Sequence, residues 1–476
     1  MTAHDYTALL PLIILAAAPV VIMLTIALRR SHGLTFSLAL GAVILAILAL
    51  LWKPSLSSHK LTQLLVIDGY AVFFIGLILV AGLFTLLLSY GYLNIHKESR
   101  EEYYILILTA LFGSAILVSS VHFASFFLGL EILSVSLYAL AAYMRMNGLC
   151  IEAGIKYLIL AAFSSAFLVF GMALIYAETG TMEFFRLAVK MAPGVGMKPI
   201  ILVGTAFIIV GIGFKLALVP FHLWVADVYE GAPAPVTAFI ATVSKGAVFA
   251  IMLRYFMQID MPHGNALAVF FVCVAIASMF VGNLLALFQN NIKRLLAYSS
   301  IAHMGYLLVA FLASGELRII AVVFYLVAYF IMTLGAFGIV TVLSGKERDA
   351  DRLEDYRGLF FRRPWFAGIF TVMLLSLAGI PLTAGFIGKF YVLAAGIGSV
   401  LWTPVICLVI ASAIGLFYYL RVLVVMYTPL PEAAEAIGYS MPAGILALSM
   451  LMVLLVGIGV YPGPVLEVIG TIGALP

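Results

Sequence analysis

The sequence predicts an all-α, polytopic membrane protein with about fourteen transmembrane helices. The chain has 476 residues, of which 65% are apolar and only 10% are charged, and its mean hydropathy is +1.21. Soluble domains are closer to half apolar and a quarter charged. Apolar runs of about 20 residues, the length that crosses a bilayer, recur along the chain. The composition therefore excludes a large soluble core, and the net charge of +4 does not indicate nucleic-acid binding.

Fourteen apolar runs, separated by short polar breaks, define the predicted helices. They cover residues 6–28, 33–52, 69–90, 103–120, 123–144, 153–177, 200–227, 233–257, 265–288, 295–313, 318–343, 365–395, 399–427 and 441–461. The first run follows Asp5 and ends at Arg29 and Arg30, whereas a signal peptide carries its positive charge before a shorter apolar stretch. We therefore expect the first run to be a retained transmembrane helix.

The charges between the runs predict which way the chain crosses the membrane. Breaks after odd-numbered runs, counted with the adjoining parts of the runs, contain fifteen lysine and arginine residues, and breaks after even-numbered runs, counted in the same way, contain seven. Basic loops tend to remain in the cytoplasm. The odd-numbered breaks are therefore predicted to be cytoplasmic, and both termini are predicted to be periplasmic.

The seventh and twelfth runs are unusually long, at 28 and 31 residues, and each contains a central proline, Pro220 and Pro381. Proline disrupts a helix, and a broken helix persists at membrane depth only where it is buried or lines a wet cavity. The two breaks lie five runs apart and so cross in opposite directions, which indicates inverted repeats of helices 4–8 and 9–13. The predicted divisions are an N-terminal three-helix segment (1–95), the first repeat (103–257), the second repeat (265–427), and helix 14 with a short tail (441–476).

Four charged residues, Glu131, Lys215, Lys245 and Lys389, lie deep inside apolar runs. Charge at the centre of a bilayer costs a few kcal/mol even on lenient scales, so such residues indicate an ion pathway or a proton relay. A carboxylate opposite Lys215, such as Glu131, would hold its amine protonated, and withdrawal of the carboxylate would release the proton. The alternatives are a lysine that snorkels near a helix end and a structural ion pair for Glu131.

Two histidines extend this set. Imidazole titrates near neutrality and passes protons by using its two nitrogens. His222 follows the break in helix 7, and His303 lies in helix 10 about a turn after Tyr298. His222 could instead bond a carbonyl freed at the break, and His303 could be a satisfied core histidine. We predict a polar chain with intervening water across the middle of the membrane, formed by Glu131, Lys215, Lys245, His303 and Lys389.

Charged residues near the ends of helices 6 and 7 are secondary candidates for the proton path. Glu152 and Lys156 form an i,i+4 pair, which alternatively marks a helix end that faces water. Asp227 follows the break in helix 7, where it either caps the helix or assists proton uptake. Tyr298 beside His303 is the fourth secondary candidate.

The sequence contains no motif for a redox cofactor, a nucleotide or a metal ion. Cys150, Cys273 and Cys407 are isolated, whereas an iron–sulfur cluster usually takes four thiolates. No GxGxxG follows a predicted strand, and no Walker or CxxCH motif occurs. We therefore expect no cofactor and no metal in this chain.

Three segments resemble the antiporter-like membrane subunits of respiratory complex I. They are FKLALVPFHLWVADVYEGAPAPVTAFIATVSK, NIKRLLAYSSIAHMGYLL and LSLAGIPLTAGFIGKFYVL. The resemblance extends from about helix 3 to helix 13. It implies fourteen helices with two inverted five-helix repeats, and proton translocation coupled to NADH oxidation by quinone elsewhere in the complex. FMN, iron–sulfur clusters and quinone are then expected in other subunits.

The resemblance also implies roles for individual residues. The helix-5 glutamate of the family matches Glu131, and its helix-7 lysine matches Lys215, which together would form an electrostatic gate. The helix-8 lysine matches Lys245, the central relay. The charged residue of helix 12 matches Lys389, the terminal proton donor.

Among these subunits, the N-type is the best match. The L-type carries a long lateral helix after helix 14, and the M-type has a glutamate where this chain has Lys389. The length and the segment GLEILSVSLYALAAY also favour the N-type. This resemblance implies an M-type neighbour on one side and the small K- and J-type subunits on the other, in a bacterial inner membrane.

Other classes of protein remain as alternatives. A subunit of a multisubunit cation/proton antiporter, with no link to electron transfer, would share the lysine and glutamate pattern. A quinone-binding oxidoreductase would need a cofactor motif or a quinone pocket, which the sequence does not indicate. A structural stalk protein would not need four buried charges.

Overall fold

The computed structural model describes residues 3–52, 59–60, 62–96, 100–191, 198–258, 266–429 and 442–472. The α-helices are α1 (Ala3–Leu28), α2 (His32–Leu51), α3 (Gly69–His96), α4 (Glu101–Ser119), α5 (Phe123–Ala141), α6 (Gly148–Thr179), α7 (Phe184–Lys190), α8 (Pro199–Leu216), α9 (Val225–Gly231), α10 (Ala234–Phe239), α11 (Lys245–Met257), α12 (Ala266–Leu287), α13 (Ile292–Leu312), α14 (Glu316–Leu343), α15 (Leu359–Arg362), α16 (Pro364–Ala378), α17 (Ala384–Gly398), α18 (Trp402–Tyr427), α19 (Pro442–Val460) and α20 (Gly463–Ile472). Two short strands, β1 (His59–Lys60) and β2 (Val66–Ile67), form an antiparallel pair between α2 and α3.

The predicted membrane architecture is confirmed. Within the described residues, thirteen helices are long and apolar enough to cross a membrane, and two shorter apolar helices, α16 and α17, lie where the twelfth crossing is predicted. The segment from α10 to α11 is the most enclosed of these crossings, with its whole apolar window buried. The predicted seventh crossing consists of α8, a non-helical stretch and the short α9.

Both predicted helix breaks are present. The first separates α8 from α9 around Pro220, and the second separates α16 from α17 around Pro381. Each first half ends in a left-handed residue, Ala217 with φ of 57° and Gly379 with φ of 86°. The first half of each helix therefore ends at the break, and its last backbone carbonyls have no partner within that helix.

The eighth crossing contains an irregular turn that the sequence pattern does not predict. Residues Ile240–Ser244 form a π-helical turn between α10 and α11. Such turns add one residue to the helix and occur frequently at functional sites. Lys245 is the first residue after this turn, so the turn sets the direction in which Lys245 leaves the helix axis.

Corresponding helix pairs of the two repeats approach closely through glycine. A Cβ atom on Gly113 of α4 would lie 2.5 Å from the backbone nitrogen of Leu133 on α5. A Cβ atom on Gly282 of α12 would lie 2.7 Å from the backbone nitrogen of Ala302 on α13. Small residues allow transmembrane helices to pack closely. These contacts fix α5 and α13, which carry Glu131 and His303, against their neighbours.

Two charges that the sequence places in breaks between helices are buried instead. Lys293 is 1% exposed and Arg254 is 2% exposed. Each forms an ion pair with a carboxylate distant in sequence, Lys293 with Asp349 and Arg254 with Asp68. The sequence assigns a lysine or arginine to a loop from the short polar stretch around it. That stretch does not show that the residue has a buried carboxylate partner 56 or 186 residues away.

The predicted C-terminal tail is partly helical. After α19, the amphipathic helix α20 contacts α3 and α14. The ends of the chain at 1–2 and 473–476, and the loop lysines Lys53 and Lys97, lie outside the described residues.

Candidate functional site

Lys215 lies in the last turn of α8, directly before the first helix break. The Nζ atom donates to Ser134 Oγ at 2.7 Å and to Tyr138 OH at 3.3 Å, both on α5. The side chain is buried, so the sequence-based placement of this amine inside the protein is correct. Its hydrogen-bond partners are hydroxyl groups, which can both accept and donate a proton.

Glu131 lies on α5 one turn before Ser134, but it does not contact Lys215 directly. Its carboxylate accepts a hydrogen bond from Ser165 Oγ of α6 at 2.6 Å. Both side chains are described, and no ion pair within 4.0 Å joins them. The sequence predicts that Glu131 lies opposite Lys215. In the structure the two charged groups are neighbours, but each is hydrogen-bonded to a different hydroxyl group.

Lys245 lies at the centre of the buried set. Its Nζ atom donates to Ser300 Oγ of α13 at 2.5 Å and lies 5.6 Å from the centre of the Tyr229 ring. Lys245 is fully buried. The hydroxyls of Tyr229 and Tyr329 are also buried and have no hydrogen-bond partner among the described residues. Such groups are positions where buried water binds.

His303 follows Ser300 on the same face of α13. The Nδ1 atom lies 2.7 Å from Tyr325 OH, and the Nε2 atom lies 3.3 Å from Tyr419 OH. Tyr419 is in turn hydrogen-bonded to Ser299. The imidazole therefore has a hydroxyl on each nitrogen, which is the arrangement that allows a proton to be taken up on one side and released on the other.

Lys389 lies in α17, just beyond the second helix break. Its Nζ atom donates to two carbonyl oxygens at the end of α16, Leu377 O at 3.2 Å and Ala378 O at 2.8 Å, and to Ser412 Oγ at 2.7 Å. A cavity of about 300 Å³ adjoins this amine. The cavity also reaches Phe390 and Val409, which are exposed on the flank of the protein.

The three lysines share one kind of environment. Each amine donates to a serine hydroxyl, at 2.7, 2.5 and 2.7 Å, and each lies over a tyrosine ring, at 5.5, 5.6 and 5.2 Å from the ring centre. Within the described part of the chain, none of the three amines has a carboxylate within 4.0 Å. The respective partners are Ser134 and Tyr138 for Lys215, Ser300 and Tyr229 for Lys245, and Ser412 and Tyr306 for Lys389.

The structure does not connect every predicted residue to this set. His222 is half-buried in the first break, and its Nδ1 atom has no described partner. No hydrogen bond in the described residues joins His222 to Lys215, Lys245 or Lys389. Tyr298 is half-buried, whereas the neighbouring Ser299 and Ser300 make the contacts with Tyr419 and Lys245.

The secondary candidates form an ion-pair cluster at one end of the helices. Lys156 Nζ lies 2.7 Å from Glu152 and 2.8 Å from Asp227. Arg294 joins Asp227, at 2.8 Å, to Glu230, at 2.7 Å. The Glu152 and Lys156 side chains are about half exposed, with exposed fractions of 57% and 42%. These residues are therefore a charged surface cluster, apart from the buried lysines.

The sequence does not reveal the hydroxyl partners of the three buried lysines. Ser134, Ser300 and Ser412 look like ordinary small residues in apolar helices, since serine commonly bonds its own helix backbone. Their roles become visible only when a second helix brings a lysine within reach. One usable signal was that Ser134 lies one helical turn from Glu131.

Comparison with known proteins gives consistent matches. The family described as "NADH:quinone oxidoreductase/Mrp antiporter, TM" matches residues 119–415. NADH-quinone oxidoreductase subunit N of Ectopseudomonas mendocina is 47% identical over 98% of this chain and 96% of its own length. The protein of the same name from Nitrosospira multiformis is 52% identical over 98% of this chain and 96% of its own length.

Solved structures share the fold. A chain in respiratory complex I from Thermus thermophilus has a TM-score of 0.83 at 32% identity, over 96% of this chain and 98% of that one. A chain of the archaeal membrane-bound sulfane sulfur reductase has a TM-score of 0.86 at 26% identity, over 100% and 97%. A chain of the Mrp complex from Dietzia has a TM-score of 0.85 at 20% identity, over 100% and 97%, and this similarity concerns the fold alone.

Proposed function

Because the chain belongs to the NADH:quinone oxidoreductase/Mrp antiporter family, with near-full-length relatives named subunit N, we propose that it is the N-type membrane-arm subunit of a proton-pumping NADH:quinone oxidoreductase. Protons cross it through the buried lysine relay, and quinone reduction elsewhere in the complex drives them. In this role the chain is part of an enzyme but binds no redox cofactor, and FMN, iron–sulfur clusters and quinone belong to other subunits.

The observation that carries this proposal is the environment that the three buried lysines share. A buried ammonium with a carboxylate partner is held in its charged form. Lys215, Lys245 and Lys389 have hydroxyl partners in place of carboxylates. Each amine can therefore change its charge when a neighbouring charge moves, and each hydroxyl can pass a proton to the next group.

The relay runs across the protein, parallel to the plane of the membrane. It starts near Glu131, continues through Lys215 and Lys245, and passes His303 on the way to Lys389. Water completes the steps between side chains that do not touch. Glu131 acts on Lys215 through space, because charges a few ångströms apart interact strongly in a poorly solvated interior.

The location and the neighbours follow from the same assignment. The chain is a multi-span protein of a bacterial inner membrane, with its termini in the periplasm and its more basic loops in the cytoplasm. An M-type antiporter-like subunit adjoins one flank, and the small K- and J-type subunits adjoin the other. The cation/proton antiporter alternative has less support, because the Mrp relative is only 20% identical whereas the subunit N relatives are 47% and 52% identical.

The test is a measurement of NADH oxidation and proton pumping together in inverted membrane vesicles. We expect Lys245→Met to lower both rates in parallel, since the two processes are coupled. Lys198→Met is the matched control, because Lys198 is 64% exposed and lies outside the relay. Normal pumping in assembled complex that carries Lys245→Met would contradict the relay.

A further inference from the structure

A second buried lysine cluster lies between the relay and one face of the membrane. Lys293 is in the first turn of α13, and its Nζ atom donates to Asp349 Oδ2 at 2.7 Å and to Ala232 O at 2.6 Å. Asp349 accepts a further hydrogen bond, from Tyr92 OH of α3 at 2.8 Å. The exposed fractions of the Lys293 and Asp349 side chains are only 2% and 11%. The pair is therefore shielded from water although it lies at the end of a transmembrane helix.

Helix α13 connects this pair to the partner of Lys245. Ser300, the hydroxyl partner of Lys245, follows Lys293 by seven residues on α13, which is two turns on one helix face and about 10 Å along the axis. On the other side, Ala232, which accepts from Lys293, is three residues after Tyr229, whose ring faces Lys245. The two lysines are therefore joined by two short chain segments.

Buried hydroxyls without protein partners lie close to Lys245 and Ser300. The hydroxyls of Tyr229, Tyr329 and Thr333 have no hydrogen bond among the described residues. Tyr329 and Thr333 are one turn apart on α14, so both hydroxyls lie on the same face of that helix. Buried water occurs where otherwise unsatisfied polar groups converge. Water at these hydroxyls would carry a proton over the last part of the way to Lys245.

On its outer side, the pair connects to the surface ion-pair cluster. Asn291 precedes α13 and donates to both Asp351 Oδ2, at 2.6 Å, and Glu230 Oε1, at 3.1 Å. Glu230 is linked through Arg294 to Asp227. Burial raises the pKa of the Asp351 carboxyl. Burial also raises the pKa of Asp349, but the adjacent Lys293 ammonium outweighs it and holds the pKa of that carboxyl below its usual range.

We propose that Lys293 and Asp349 form the proton-uptake gate of Lys245, a step that rests on the proposed function of the relay. The Lys293 ammonium gives one proton inward through the hydroxyls to the neutral Lys245 amine. The neutral Lys293 amine then takes one proton from water at the surface cluster, and Asp349 remains ionised throughout and holds the amine in place. One proton leaves the aqueous face for each proton that reaches Lys245.

The decisive variant is Lys293→Arg, because arginine keeps the ion pair but does not release its proton in a protein. We expect the complex to assemble, NADH oxidation and pumping to fall about fivefold or more, and the solvent deuterium isotope effect on NADH oxidation to rise because proton uptake becomes rate-limiting. A purely structural ion pair would give an unchanged isotope effect and normal rates in assembled complex, and that result would overturn the gate.

A second variant keeps the test decisive if arginine disturbs the packing. The double variant Lys293→Met with Asp349→Leu removes both charges and leaves neither partner unpaired, and such apolar replacements of buried pairs are often tolerated by the fold. We expect assembled complex with strongly reduced pumping. The control is Arg254→Lys, which changes the other buried ion pair, with Asp68, and which we expect to leave both rates unchanged.

Lys245→Met, measured alongside, separates the two proposals. Loss of pumping in Lys245→Met, with normal pumping in both Lys293 variants, would reject the gate and leave the relay intact. Normal pumping in Lys245→Met would reject the relay and the gate with it. Loss in all three relay and gate variants, together with the raised isotope effect in Lys293→Arg, would support both.

Discussion

Lys215 and Lys389 lie beside the two helix breaks of the inverted repeats, yet their amines have different partners. Lys215 donates to two side-chain hydroxyls, those of Ser134 and Tyr138. Lys389 donates to two backbone carbonyls freed by the break and to the Ser412 hydroxyl. Only Lys389 adjoins the cavity that reaches the flank of the protein. The first repeat encloses its lysine, and the second places its lysine next to an opening.

The difference in partners has a chemical consequence. A backbone carbonyl stabilises an ammonium but cannot accept its proton and pass it on, whereas a hydroxyl can do both. Lys215 is therefore suited to exchange with groups inside the protein. Lys389 has one hydroxyl route, through Ser412, and a second route through the adjoining cavity.

The largest effect is expected when the enclosed lysine is removed. Lys215→Ala should lower NADH oxidation and proton pumping at least about tenfold, equivalent to about 1.4 kcal/mol on the barrier. Glu131→Ala should act in the same direction, because the Lys215 amine then loses its neighbouring negative charge. Both rates are measured in inverted vesicles. If both variants kept the normal rates and the normal number of protons pumped per NADH, the electrostatic gate of Glu131 and Lys215 would be rejected.

Lys389→Arg tests whether the lysine at the opening must release a proton. Arginine keeps the positive charge on the freed carbonyls but remains protonated, so we expect about a fivefold loss of pumping in assembled complex. The substitution is compared with Arg254→Lys, in which the charge is also conserved. Wild-type activity in Lys389→Arg would mean that this amine only stabilises the break and is no proton donor.

Removal of the hydroxyl groups that bond Lys215 and Lys389 tests the difference between these two lysines. Tyr138→Phe and Ser134→Ala should each slow turnover by about threefold, in line with the loss of one hydrogen bond worth about 0.5–1.5 kcal/mol. Ser412→Ala should have the smaller effect, because the cavity offers Lys389 a second route. Equal losses at Ser134 and Ser412 would remove the distinction between the enclosed and the open lysine.

The smallest effect is expected from narrowing the cavity. Ala413 lines the cavity and is exposed, so Ala413→Leu fills part of the opening without touching the Lys389 hydrogen bonds. We expect about a twofold loss of pumping, on the scale of about 0.4 kcal/mol. Combined with Ser412→Ala, the loss should exceed the product of the two single losses, since both routes are then obstructed. Multiplicative losses would show that the cavity is not a route.

Sequence alone predicts the helices, the two breaks and the buried lysines, because each produces a strong local pattern. Apolar runs give the crossings, Pro220 and Pro381 mark the breaks, and a charge inside an apolar run is conspicuous. These features depend on neighbours in sequence. They require no knowledge of which helix faces which.

The features that sequence does not predict depend on contacts between distant helices. The partnership of Lys245 with Ser300 spans 55 residues, and that of Lys293 with Asp349 spans 56. Lys293 looks like an ordinary loop charge, since it lies between Asn291 and Arg294 in the break before the tenth run. Glu131 illustrates the opposite case, because the sequence locates the residue well but not its actual partner, Ser165.

The π-helical turn at Ile240–Ser244 contains one residue more than a regular helical turn, and it therefore sets how α11 is rotated about the helix axis relative to α10. Each residue advances an α-helix by about 100°. If the same residues formed a regular α-helical turn, the extra residue would rotate Lys245 about a quarter-circle relative to α10 and away from Ser300, with the composition unchanged. The wide turn therefore aligns the Lys245 amine with Ser300, although nothing in the apolar run of the eighth crossing distinguishes it from a regular helix.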